Sequence, residues 1–271
     1  MKTKIELLHS AYQNEEGVLT ASKFIALNKK MRDRECFVSS QIILGFFPHL
    51  YGYIRKNFRC TGEFSIHNGH PYLNFIYHDQ CFTFLFIGYG APLAGMLLDE
   101  SIALGGEDFI FLGPAGSLLS YLNKGSICVP TSAIRAEGTS FHYEEANRYS
   151  FPDNELVAYI QNTLSIKQVE FHAGRTWTTD AIYRETPGKI RSALDDQAIT
   201  VDMEASALFS IASHYQKQIA GLFYITDCIT PESFCIPPKN KNHPRMSVNQ
   251  LFNLSLDLLH DFGYSHSIVE K

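Results

Sequence analysis

Between Cys81 and Leu98 the chain runs 18 residues without a charged side chain, reading "CFTFLFIGYGAPLAGMLL". A stretch of that length is long enough to cross a membrane. Its middle, "GYGAPLAG", breaks a spanning helix with glycine and proline. The reading that fits is a buried strand, "FTFLFI", a glycine-rich turn, and a helix starting near Pro92. The same alternation continues on both sides. "YLNFIYH" pairs as a neighbouring strand, and "PLAGMLLDESIALG" ends as a helix at Gly105 or Gly106. "DFIFLG" is a short buried strand closed by the turn "GPAG", and "GSICVPTSAI" and "EFHAG" are further strands.

Helical segments interleave with these strands. "DNELVAYIQNTL" has Asp153 as N-cap and an apolar stripe at Leu156, Ile160 and Leu164. A helix over 205–215 is followed by the strand "IAGLFYIT". The last helix opens with a capping box, Ser247 and Gln250, and buries Leu251, Leu254, Leu258 and Phe262 before Gly263. Such alternation predicts an α/β three-layer sandwich, a central mixed β-sheet flanked by helices on both faces. With no internal repeat or clear linker, residues 1–271 are read as one domain, with 1–36 as a polar peripheral helix or arm.

Composition removes several function classes. The net charge of -5 gives no basic footprint for nucleic acid, and basic residues gather only weakly around Lys239, Lys241 and Arg245. The N-terminus, "MKTKIELLHSAYQNEEG", carries charges where a signal peptide needs an apolar core. Six scattered cysteines without a CxxC pair suit a reducing cytoplasm rather than a disulfide framework or zinc ribbon. His67 and His70 flank the turn signal "NG" and read as surface loop; no histidine spacing predicts a metal site.

Three strand ends carry candidate chemistry, since α/β sheets bind ligands beyond the carboxyl ends of their strands. After "FIFL", Gly113 and Gly116 allow a tight turn whose N–H groups hold an anion or a sugar hydroxyl; a plain turn explains them equally. No lysine follows in the P-loop position. In "VDMEASALFSIA", Glu204 stands at helical spacing from Leu208, Ile211 and Tyr215, on the inward face. A carboxylate there needs a hydrogen-bonding partner. Its two acceptor oxygens suit a vicinal diol such as ribose; the alternative is a helix-start acid favoured by the macrodipole. Asp227 follows the strand "LFYIT", where an acid can protonate a leaving group or merely cap a turn.

These three features stand in a longer run of matching text. "GYGAPLAGMLLDESIALGGEDFIFLGPAGSLLSYLNKGSICVPTSAIRAEGTSFHY", "GRTWTTDAIYRET", "VDMEASALF" and "YITD" resemble the purine nucleoside phosphorylase and uridine phosphorylase superfamily from about Ile87 to Asp227. The resemblance implies that Glu204 holds the ribose hydroxyls and Met203 packs on the sugar. Ile182 and Tyr183 would then lie near the base, and Gly113, Ala115 and Gly116 would form the nucleophile loop. Asp227 would protonate N7 of a purine, which tilts the expectation toward purine nucleosides. It further implies a cytoplasmic homo-oligomer that acts on a small-molecule nucleoside, needs no cofactor and takes phosphate as co-substrate.

The chain departs from that pattern at the nucleophile. Where phosphorylases of the family carry a phosphate-gripping Arg and a hydroxyl residue, this sequence has Phe111 and Pro114, and no Gly-Asp-x-x-Arg loop precedes them. Arg135, Arg184, a neighbouring subunit or the basic residues of "PESFCIPPKNKNHPRM" would have to supply the cation. That loop reads either as an active-site lid or as a solvated connection. Three outcomes stay open: phosphorolysis, hydrolysis, and nucleoside binding without catalysis.

Overall fold

The computed structural model describes residues 15–28, 37–67, 69–236 and 246–269. Among the described residues eleven strands form one mixed sheet. They are β1 (Gln41–Gly45), β2 (Arg59–Ser65), β3 (Pro71–Tyr77), β4 (Gln80–Phe86), β5 (Asp108–Ser117), β6 (Ile127–Ala136), β7 (Tyr149–Ser150), β8 (His172–Thr179), β9 (Ala198–Asp202), β10 (Gln218–Ile229) and β11 (Phe234–Cys235). The helices are α1 (Ala21–Leu27), α2 (Leu50–Asn57), α3 (Ala91–Ala103), α4 (Asn154–Ile166), α5 (Pro187–Asp195), α6 (Ala205–His214) and α7 (Val248–Val269).

The apolar strands are continuous hydrophobic runs because both of their faces are covered. Along β1 and β5 the side chains alternate between two cores. Ile42, Leu44, Phe109 and Phe111 pack with Leu97 of α3 and Leu208 and Phe209 of α6. Ile43, Ile110 and Leu112 pack on the other face with α2, α4 and α7, through Ile54, Ile160 and Phe252 among others. This is the expected three-layer arrangement. One feature goes beyond it: β10 pairs with both β5 and β6, and β5–β10–β6–β8–β9–β5 closes as a ring of strands.

The local capping signals hold. The Asp153 carboxylate accepts the Leu156 N–H at 2.7 Å. Ser247 and Gln250 exchange hydrogen bonds, the Ser247 N–H donating to Gln250 Oε1 at 2.8 Å and the Gln250 N–H to Ser247 Oγ at 3.3 Å. Two glycine readings differ from the structure. Gly263 does not stop the last helix, which continues to Val269. A Cβ there would stand 2.1 Å from Gln41 Nε2, so the glycine serves close packing. The "GPAG" segment is not a turn either. β5 continues to Ser117 because β10 pairs with it as far as the Cys228–Ser117 step. A Cβ on Gly113 would meet the Phe46 ring at 2.8 Å, which accounts for the glycine without any special backbone angle. His67, expected in a surface loop, reaches in to bond Glu100 at 2.7 Å.

Of the expected peripheral segment 1–36, only 15–28 is described; there α1 packs against α3. Among the described residues no helix is long and apolar enough to cross a membrane.

Candidate active site

Gly116 is the hub where three strand ends meet. It pairs with Val201 of β9 on one side and, after a bulge, with Asp227 of β10 on the other. A Cβ on Gly116 would stand 3.0 Å from Val201 Cγ1 and 3.1 Å from Asp227 Oδ2. The missing side chain leaves that space to the Asp227 carboxyl. Beyond these ends opens a cavity of 480 Å³. Ala115, Gly116, Ile182, Tyr183, Met203, Glu204 and Asp227 all line it. Of the residues singled out in the sequence, Gly113 does not; it lies within the strand.

Glu204 occupies the N-cap position of α6 and is only 6% exposed. Oε1 accepts the Gly90 N–H at 2.5 Å and Oε2 accepts the Met203 N–H at 3.3 Å. Gly90 stands at φ 97°, a conformation a side chain would strain, and so aims its N–H at the carboxylate from the start of α3. Each oxygen thus keeps acceptor capacity after its protein bond, in a residue that lines the cavity. Burial pushes the Glu204 carboxyl up to about 8; the charge of Asp202 adds to this, and the two N–H donors oppose it.

Asp202 is the group that seats Glu204. Its Oδ2 accepts the Glu204 N–H at 2.7 Å and the Ala205 N–H at 2.6 Å, so it caps α6. Its Oδ1 accepts the hydroxyls of Thr176 at 3.0 Å and Thr178 at 2.9 Å. Thr178 in turn accepts the Ser206 N–H at 3.0 Å. The sequence reading passed over Asp202, although an Asp three residues before a helical N–H is a capping signal.

Asp227 is half-buried, and its Oδ1 accepts the Thr226 hydroxyl at 2.6 Å. A second acid shares the cavity. Glu185 follows the 3-10 turn Ile182–Arg184 and lies half-buried in the wall. Burial, with the nearby charge of Asp227, pushes its carboxyl up to about 7, against the pull of Lys189. The sequence offered no signal for it: beside Arg184 it reads as half of an ion pair, yet no ion pair joins those two residues. Tyr89, Ile182, Tyr183 and Phe234 form an exposed apolar rim; Tyr183 is 96% exposed.

The ionisable acidic and basic side chains lining the cavity among the described residues, the tyrosines aside, are Glu185, Asp202, Glu204 and Asp227, all of them acids. Phe111 is 1% exposed and packs against the tilted rings of Phe209 and Phe223 in the core. Arg135 is engaged elsewhere, donating to Ser140 Oγ at 2.9 Å and the Glu145 carbonyl at 2.7 Å while its guanidinium covers Phe141. Arg184 is exposed beside the rim. Lys239, Lys241 and Arg245 lie outside the described residues, as does most of the proline-rich loop. A larger cavity of 720 Å³ between α1 and α3 contains none of the residues singled out for chemistry.

The family model described as the phosphorylase superfamily matches residues 42–251, from the first strand to the last helix. The chain belongs to the phosphorylase superfamily. Similar curated relatives within it include a guanosine phosphorylase of Halorubrum lacusprofundi, 28% identical over 140 residues, which are 52% of this chain and 58% of the relative. A uridine phosphorylase of Haemophilus influenzae is 24% identical over 46% of this chain and 56% of its own length. The chain therefore spans little more than half the length of these relatives. Among solved structures, an AMP nucleosidase from Bacteroides thetaiotaomicron superposes with a TM-score of 0.69 at 21% identity, over 85% of this chain and 91% of the other. That likeness shows a shared fold.

Proposed function

We propose that the protein cleaves the N-glycosidic bond of a nucleoside, with a purine-type base preferred and phosphate as the attacking group. The observation that carries this reading is the pairing of roles across one cavity. Glu204 offers two partly free acceptor oxygens from the floor, and Asp227 offers an acid at the neighbouring strand end. Glu204 suits the 2′- and 3′-hydroxyls of ribose, with Met203 beside the sugar. Ile182 and Tyr183 supply an apolar surface for the base. Breaking the C1′–N bond leaves negative charge on the departing base, which Asp227 neutralises by protonation at N7. Holding the sugar by two hydroxyls fixes C1′ for attack from the opposite face. The guanosine and uridine phosphorylase relatives support phosphate as nucleophile. The reaction needs no cofactor, and the superfamily resemblance supports an oligomer in the cytoplasm.

One observation favours a second reading, hydrolysis. A phosphate dianion entering this cavity meets four acidic side chains and, among the described lining residues, no basic one, so its charge goes unmatched unless a cation is brought in. Release of free base from a purine ribonucleoside, measured with and without phosphate, separates the readings. Release that requires phosphate supports phosphorolysis, with an apparent KM for phosphate at or above about 1 mM because of the acidic wall. Equal release without phosphate makes the protein a nucleosidase. Binding without release under both conditions overturns the catalytic reading.

A further inference from the structure

Asp227 is followed at once by a pair of thiols. Cys228 on β10 and Cys235 on β11 are register partners in an antiparallel pair, with Ile229 opposite Phe234 as the next step. Residues directly opposite in such a pair place their side chains on the same face, with Cα atoms roughly 4.5–5.5 Å apart. A disulfide accepts Cα separations of about 4.4–6.8 Å. Each of the two is a free thiol. Their environments differ: Cys235 is exposed and Cys228 is buried at 4% exposure.

We propose that Cys228 and Cys235 form a reversible disulfide, a redox modification site on the hairpin at the mouth of the cavity. The oxidant is a peroxide. Cys235, the accessible thiol, attacks a peroxide oxygen as thiolate; the O–O bond breaks, and hydroxide leaves and takes up a proton. Cys235 is then a sulfenic acid. The sulfur of Cys228 attacks that sulfenic sulfur, the S–O bond breaks, and the Cys228 proton leaves with the hydroxide as water. In sum, two thiols and one hydrogen peroxide give one disulfide and two waters. Cys228 suits the second role because burial keeps it from the oxidant while its register places it directly opposite Cys235.

The hairpin also carries cavity wall: Asp227 and Ile229 flank Cys228, and Phe234 precedes Cys235. A bond across the pair ties that rim to β10. Resting on the proposed nucleoside cleavage, the expected consequence is a lower kcat through slower exchange of substrate and product. The bond itself is tested without any activity.

Reduced protein is treated with hydrogen peroxide, or with diamide as a second oxidant, alkylated in denaturant, digested and weighed. The expected product is an unalkylated peptide spanning 228–235, lighter by two hydrogens and restored by dithiothreitol, while the exposed Cys60 reports oxidant access. Cys235→Ser should leave Cys228 alkylatable after treatment, and Cys228→Ala should send Cys235 on to sulfinic acid without a bridge. Two thiols still unbridged under both oxidants, or Cys235 bridged to another chain, overturns the proposal. A bridge that forms and leaves base release unchanged overturns its effect on turnover alone. A protein that forms the bridge but cleaves no nucleoside refutes the functional reading and leaves the modification standing.

Discussion

The Gly90 N–H donates to Glu204 Oε1 at 2.5 Å, joining the start of α3 to the start of α6 across 114 residues of chain. That bond holds a buried carboxylate whose second oxygen has a single N–H donor at 3.3 Å. The protein thus satisfies part of Glu204 and leaves acceptor capacity toward the cavity. Replacing it by glutamine keeps an acceptor for Gly90 but loses the charge that strengthens hydrogen bonds from ribose hydroxyls, each worth about 1.5–3 kcal/mol. The expected result for Glu204→Gln is a fall of roughly 10–100-fold in kcat/KM for ribonucleosides, a smaller fall for 2′,3′-dideoxynucleosides, and an undiminished melting temperature. Unchanged kinetics with a lowered melting temperature would make Glu204 a structural residue.

Titration of the same group sets a pH dependence. The carboxyl of Glu204 moves from an ordinary value of 4.5 to about 8 in the folded chain. Below 4.5 both states hold the proton; above it the unfolded chain releases first. Glu204 therefore contributes stability at low pH that is lost as pH rises toward 8. Glu185, raised to about 7, acts in the same direction. The melting temperature of the unliganded protein should fall from about pH 5 to pH 8 more than that of Glu204→Gln. Ribose hydroxyls favour the carboxylate, so nucleoside binding near neutral pH should release a proton, read by calorimetry in buffers of different ionisation enthalpy. Proton uptake on binding would contradict the assignment.

Asp202 seats Glu204 through its backbone N–H at 2.7 Å. Asp202→Ala removes the cap of α6 and leaves Thr176 and Thr178 without their acceptor. A loss of about 1–3 kcal/mol in denaturant unfolding is expected, together with a raised KM for ribonucleosides because Glu204 is no longer held. Asp202→Asn, which keeps an acceptor, should restore part of both. A change in stability with no change in KM would show that the cap does not position the site.

Local patterns made much of this legible. The Asp153 cap and the Ser247–Gln250 box are set by residues within one turn, and both stand in the structure. Of the stripe behind Glu204, Leu208 and Ile211 are buried, whereas Tyr215 lies just past the end of α6 and is exposed. The misreadings share a different cause. Gly113, Gly116 and Gly263 look like turn or stop signals, but each is small because a residue distant in the chain occupies the space its Cβ would take: Phe46, Asp227 and Gln41. Glu185 enters the site only because the segment after β8 folds over the cavity beside Asp227. The closure of β5 onto β10 likewise depends on pairing between strands about a hundred residues apart, which no local pattern records.

The central claim is that Asp227 gives a proton to the base leaving from a sugar held by Glu204. Turnover of a purine ribonucleoside by wild type and by Asp227→Asn tests it most directly. Asparagine keeps the shape and removes the transferable proton. The account predicts a loss of roughly 10²–10⁴-fold in kcat with little change in substrate binding, and a much smaller loss for a nucleoside whose base departs without protonation. Equal slowing of both substrates, or unchanged kcat in the variant, would contradict it.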